Sequence, residues 1–268
     1  MAEMLRQRRT YTPQYLACQY LIQQKSRRHI KMISCKMPEI GFRERAMNEE
    51  ISHIPNHWEP EPRWPALIAI IAVAGIYMAL PSELTIGPRW LLPGTIGMLL
   101  AVTIISHIGK RHLLNRTSGF IISGVVTAAM VGSLVLLIRA LPAHKEPPSE
   151  LLISAAFLWF TNILVFALWY WRLDAGGPHG RDSRFGHPDG AFLFPQMTLP
   201  PIAKHMAGQH GWSPNFVDYL FLAFNTSTAF SPTDVPVLER WAKLLMMLQS
   251  LISLTVVALL AAHAINII

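Results

Sequence analysis

Two stretches of this 268-residue sequence hold side chains whose types could do chemistry. The first is the segment 173–213, with His179, Asp182, His187, Asp189, His205 and His210. Imidazole and carboxylate are ligands for zinc and other divalent metals. Here they lie at irregular intervals among glycines and prolines, with no H-E-x-x-H spacing to fix a geometry. The expectation is a solvated loop, with no metal and no cofactor. The second stretch is 225–236. It contains Asn225, Thr226, Ser227, Thr228, Ser231, Pro232, Thr233 and Asp234, between two apolar segments. Polar side chains inside an apolar region are expensive and often functional. Thr226, Thr228, Ser231 and Asp234 are therefore candidates to line a pore. Gln249, Ser253 and His263, on the apolar segment that follows, join them; an imidazole also titrates near neutral pH.

Each of these residues also has a structural reading. Ser231 can cap a helix that starts at Pro232, with Asp234 as the acidic partner. Thr226 and Thr228 can bond backbone carbonyls. Gln249 and Ser253 can make interhelical hydrogen bonds, for which Asn162 is a suitable partner. Asp174 and Arg172 are expected to pair at a membrane interface. No phosphate-binding glycine loop, dinucleotide fingerprint or nucleophile elbow is present, so the chain does not read as an enzyme.

The elements that must hold these residues follow from composition. Hydrophobic residues make up 51% and charged residues 15%, with mean hydropathy +0.31. Soluble domains carry about 25% charge, so a membrane protein is the leading class. Apolar segments at 64–80, 90–108, 118–138, 151–171 and 244–268 approach the ~20 residues that cross a bilayer. The segment 214–230 is shorter, and either spans or re-enters. The fold class is thus an all-α polytopic transmembrane bundle, five spans plus one short spanning or re-entrant helix. Small residues recur four apart (Gly124, Ala128, Gly132), with similar stripes at Gly94, Gly97, Ala101 and at Ala72, Gly75, Ala79. They are expected to pack helices against one another, within the chain by preference or alternatively between copies of it.

Net charge is +7, but its excess is confined to the head. Residues 1–46 hold ten Lys/Arg and three acids, whereas 47–268 hold thirteen of each. The basic balance therefore gives no reason to expect a nucleic-acid partner for the body. The head reads as a basic tail, a nucleic-acid arm, or sequence upstream of a true start at Met47. The last is preferred, because an acidic start and a Pro-rich flank (47–63) follow. The remaining regions are four helices over 64–172, the Gly/Pro-rich loop 173–213, and a C-terminal unit over 214–268. Phe185, Phe192, Phe194 and Trp212 would let the loop lie on the membrane or plug the bundle mouth. Both cysteines, Cys18 and Cys35, lie in the head, which excludes a disulfide framework in the body. Lys110, Arg111 and Arg116 after the second segment, and Arg172, Arg181 and Arg184 after the fourth, place those loops and the N-terminal flank in the cytoplasm.

The stretch around 225–236 carries a resemblance. An aromatic–aliphatic helix (Tyr219, Leu220, Phe221, Leu222, Phe224) leads into the polar break, and an uncharged helix follows. Residues 212–268 resemble the helix–filter–inner-helix unit of tetrameric potassium channels. In texture they are closer to a group of uncharacterised bacterial polytopic membrane proteins. Ser231-Pro232-Thr233 stands before Asp234, where a potassium filter has Gly-Tyr-Gly, so potassium selectivity is not implied. The resemblance implies a channel-like or transporter-like protein of a bacterial inner membrane, partnered by lipid and by copies of itself. The alternative is a non-conducting membrane scaffold or accessory protein.

Overall fold

The computed structural model describes residues 61–108, 112–140, 147–182, 190–200, 212–228 and 235–267, all within the unit His57–Ile268. The expectations for residues 1–46 and for most of the flank before Trp64 lie outside these residues. Regular structure among the described residues is helical: α1 (Trp64–Ala79), α2 (Leu91–Ile108), α3 (His112–Ala140), α4 (Pro148–Leu173), α5 (Gly177–Asp182), α6 (Pro195–Thr198), α7 (Phe216–Thr228) and α8 (Arg240–Ile267). One isolated antiparallel bridge joins Phe192 and Val237. The stretches Thr117–Ala140, Ser149–Asp182 and Arg240–Ala262 are long and apolar enough to cross a membrane, and Trp64–Ala79 and Leu91–Ile105 are shorter apolar helices.

α4 is the axle. It is the most buried of the three long stretches, and α1, α3, α7 and α8 all pack on it. Its apolar residues cover every face, which suits a helix enclosed by others; Val165, Phe166, Ala167 and Leu168 are almost inaccessible. Prolines at its start cost no helical hydrogen bond, because first-turn N–H groups have no partner. Its end is sharp. Ala175, Gly176 and Gly177 all have positive φ (49°, 82° and 81°). Glycine adopts this region freely, whereas Ala175 costs about 1 kcal/mol. A side chain at 177 would also run into the carbonyl of Arg172.

The side-chain contacts fix the direction of travel. Thr103 on α2 meets Ser118 on α3 at 2.9 Å. Tyr77 on α1 holds the following turn, accepting from the Ile86 N–H at 2.8 Å, and Ile86 then packs onto Gly132 of α3. Glu61, just before α1, bonds Trp171 and Arg181 at the far end of α4. Four helices thus return the chain to the level at which it entered.

α7 and α8 start from that same level. Phe216 packs edge-on against Trp171 at 5.8 Å, and Phe192 touches both Tyr219 on α7 and Trp241 on α8 at 6.2 Å. Eight residues further along each helix, Ser227 and Gln249 meet at 2.7 Å. The two helices therefore run parallel. α7 has 13 residues, about 20 Å, against the ~30 Å of a hydrocarbon core.

Two expectations are corrected here. The small-residue stripes face outward. Gly75, Gly97 and Gly124 are exposed, with nothing within reach of an added Cβ. The buried positions of α3 are instead Ile122, Val126, Met130 and Leu137 on the other side, because large side chains remove more apolar surface. Only Gly132 makes a close approach, and its neighbour is a side chain of the turn before α2. Second, Arg172 and Asp174 do not pair. Two residues apart at the helix end, they face opposite sides: Asp174 bonds Tyr219 of α7, whereas Arg172 lies against α3.

Candidate functional site

Asn162, Thr226, Ser227, Gln249 and Ser253, all buried, gather where α4, α7 and α8 meet. A helix leaves its last four carbonyls without internal partners, and at membrane depth no water substitutes for them. α8 supplies the donors. Ser250 Oγ donates to the Thr226 carbonyl at 3.3 Å, and Ser253 Oγ to the Ser227 carbonyl at 2.6 Å. Gln249 Nε2 donates to the Ala223 carbonyl and to Ser227 Oγ, both at 2.7 Å. These bonds orient its amide, so that Oε1 accepts from the Tyr170 hydroxyl at 2.5 Å. α4 completes the cluster: Asn162 Nδ2 donates to the Gln249 carbonyl at 3.3 Å, and Trp159 Nε1 to Ser253 Oγ at 3.0 Å.

The sequence candidates divide accordingly. Thr226, Gln249 and Ser253 are buried. Gln249 and Ser253 join this cluster, and the Thr226 hydroxyl donates back to Leu222 at 2.8 Å. The interhelical bonding that the sequence allowed, with Asn162 as a partner, is present. Thr228 is exposed at the tip of α7 and donates to the carbonyls of Phe224 and Asn225. Ser231 and Asp234 lie outside the described residues. His263 lies on α8, and its side chain is outside them too. Sequence reasoning missed Tyr170, Trp159 and Ser227 as partners. Tyr170 and Trp159 lie within an aromatic-rich run, where each is indistinguishable from a belt residue or from core.

A second cluster, which the sequence did not reveal, closes the end where the chain enters. Glu61, with its side chain almost fully buried, accepts from Arg181 Nη2 at 2.8 Å, from Arg181 Nε at 3.2 Å and from Trp171 Nε1. Arg181 Nη1 reaches the carbonyls of Trp171 and Asp174, both at 2.9 Å. Asp174 is fully buried; its carboxylate accepts from the Tyr219 hydroxyl and the Ala191 N–H, both at 2.6 Å. Arg63 pairs with Asp182 at 3.2 Å, nearer the surface. Of the loop residues weighed as metal ligands, His179 is exposed and Asp182 is held in this pair. His187, Asp189, His205 and His210 lie outside the described residues. Phe192 and Phe194 are buried against Tyr219, so this part of the loop plugs the mouth of the bundle, whereas Phe185 is outside the described residues.

Comparison with protein-family models, with curated proteins and with solved structures gives no match. What the clusters do must therefore be argued from their geometry.

Two expectations follow. Interhelical hydrogen bonds in membrane proteins average ~0.6 kcal/mol each, and the Gln249 side chain makes three. Gln249→Leu should lower stability by roughly 2 kcal/mol with helix content unchanged, measured by denaturant titration in mixed micelles; an unaltered midpoint would show that the cluster is dispensable. At Glu61, burial pushes the carboxyl above its ordinary range, and Arg181 and Trp171 draw it back only in part. The folded chain then takes up this proton at a pH where the unfolded chain has not. Stability should therefore rise as pH falls from the raised value to the ordinary carboxyl range. Glu61→Gln should flatten that part of a melting-temperature profile between pH 7 and 4.

Proposed function

We propose that this chain is a multi-pass protein of the cell membrane. On this reading α1, α2, α3, α4 and α8 are full spans, and α7 is a re-entrant half-helix. The observation that carries it is the parallel start of α7 and α8 at one level, with α7 too short to cross. Thr228 lies at the inner end of α7, whereas Val237 bridges Phe192 at the starting level, so the chain between them must join the two levels. At membrane depth, backbone outside helices is tolerated only where protein covers it or where it lines a water-filled cavity. The sequence between them carries Ser231, Thr233 and Asp234. We therefore propose a channel-like or transporter-like protein, with a path for an ion or small polar solute on the Thr228, Ser231 and Asp234 side. Gln249, Ser253 and Thr226 hold the half-helix in place instead of lining that path. The apolar outer face of α8, with Leu244, Met247, Leu251 and Leu254 exposed, leaves room for lipid or for further copies around the path.

The second reading is a non-conducting scaffold or accessory protein. It is favoured by the inward-directed bonds of Gln249 and Ser253, which leave no hydroxyl of α8 in that cluster turned to a lumen. Neither reading requires a metal or cofactor.

Topology is the first test. Side-sensitive reporters placed before Trp64 and after Ile268 should report opposite faces; the same face for both would make α7 a sixth span and remove the re-entrant loop. Flux separates the two functions. In proteoliposomes loaded with monovalent cations or small polar solutes, Thr228→Val and Asp234→Asn should change flux with assembly intact. Flux indistinguishable from empty vesicles for the unmodified chain would favour the scaffold.

A further inference from the structure

Among the described residues at the end of the bundle that carries the Glu61 cluster, Arg172 is a largely buried cation with no carboxylate partner. Arg172, in the last turn of α4, points away from that cluster and lies against α3. Its guanidinium occupies a notch made by Gly119. Any side chain at 119 would collide with Nη1 and Cζ. The Trp171 ring lies beneath it, with Cζ 5.5 Å from the centroid. Its Nε is shielded from solvent and has no hydrogen-bond partner.

Four described carboxylates at this end are already engaged. Glu61 is bonded to Arg181 and Trp171, Asp174 to Tyr219 and the Ala191 N–H, Asp182 to Arg63, and Asp218 to the Asn215 N–H. None of them bonds Arg172. A half-buried guanidinium stacked on an aromatic face gains some cation–π attraction. That does not replace the hydrogen bonds of five N–H donors, which suit a phosphate or carboxylate fork. The surroundings fit a lipid-facing site. Trp169 bonds Thr127 across the same α3–α4 seam at 2.8 Å and packs near Phe120. Arg63 and Arg181 at this end are already neutralised by Asp182 and Glu61, so the attraction for an anion is local to Arg172.

We propose that Arg172, seated in the Gly119 notch over Trp171, is a binding site for a phosphate-bearing anion, foremost the headgroup of an anionic lipid in the adjoining leaflet. The phosphate oxygens accept from the guanidinium, and the acyl chains lie along the apolar seam between α3 and α4. The site is separate from the α7–α8 path and does not depend on it. Glycine at 119 is then a requirement of the site, because only there can the guanidinium lie flush with α3.

The test uses the full chain purified in neutral detergent. Retained lipid is counted by native mass spectrometry after exposure to equal phosphatidylglycerol and phosphatidylcholine. The unmodified chain should prefer phosphatidylglycerol by about fivefold, the order set by one basic residue near an anionic surface. Arg172→Gln should abolish the preference, and Arg172→Lys should keep part of it. Gly119→Leu should also abolish it, by displacing the guanidinium while leaving the charge in the chain. This second variant decides the matter if Arg172→Gln does not fold. A parallel arm adds millimolar inorganic phosphate. A melting-temperature rise that Arg172→Gln lacks would extend the site to free phosphate, and no rise would confine it to the lipid headgroup. Equal phosphatidylglycerol retention by the unmodified chain and either disruptive variant, with native helix content, would overturn the proposal.

Discussion

Backbone carbonyls at the end of a buried helix cannot be left bare, and on the proposed membrane reading the packing of α4, α7 and α8 follows from that constraint. α7 stops at Thr228, short of a membrane's thickness. Its terminal carbonyls need donors that do not come from water. Ser250 and Ser253 of α8 provide them for Thr226 and Ser227, and Gln249 adds a bond to the Ala223 carbonyl one turn earlier. The requirement fixes the register of α8 against α7: a shift by one residue would turn these donors away. It also fixes α4, because Tyr170 and Asn162 complete the same cluster. Apolar packing alone would not choose among such registers, since lipid tails are as apolar as the helix surfaces.

The opposite end of α7 is held by charge. Tyr219, one turn into the helix, donates to Asp174, which also accepts from Ala191 in the loop. Arg181 lies over the Tyr219 ring, with Cζ 5.1 Å from the centroid, and ties Glu61 to the end of α4. A buried ion pair of this type contributes little net stability against an apolar substitute, but breaking it leaves an uncompensated charge. Its effect is therefore geometric. It joins the start of α1, the end of α4 and the start of α7 at one level. The parallel course of α7 and α8 depends on that common level.

Much of this was legible in the sequence. The six apolar segments correspond to α1, α2, α3, α4, α7 and α8, because continuous hydrophobicity over that length has few other uses. Asn162, Gln249 and Ser253 were recognisable as polar residues in apolar helices, for which mutual hydrogen bonding is the ordinary outcome. The direction of the small-residue stripes was misjudged. Spacing of four places Gly124 and Ala128 on one face without saying which way that face turns, and the larger residues took the inside. The Glu61–Arg181 pair was not legible, since 120 residues separate its members and no periodicity links them. The pairing of Arg172 with Asp174 failed for a local reason: residues two apart at the end of a helix point to opposite sides of it.

The two clusters also limit where a path through the protein can lie. The buried side of the α7 tip is filled: Thr226 and Ser227 are enclosed by α4 and α8, and Asn162, Tyr170 and Gln249 are inaccessible behind them. A water-filled route on that side would have to break bonds that hold the half-helix. The other side bears Thr228, exposed, with its hydroxyl turned back onto Phe224 and Asn225. The helix dipole places partial negative charge at this tip, and the donors of α8 offset it only on the buried side. A solute passing the Thr228 side therefore meets a surface that favours positive charge and disfavours negative charge. On the same reasoning, a scaffold without a path must also keep the carbonyls of this tip supplied with donors, because each one left bare in lipid costs several kcal/mol.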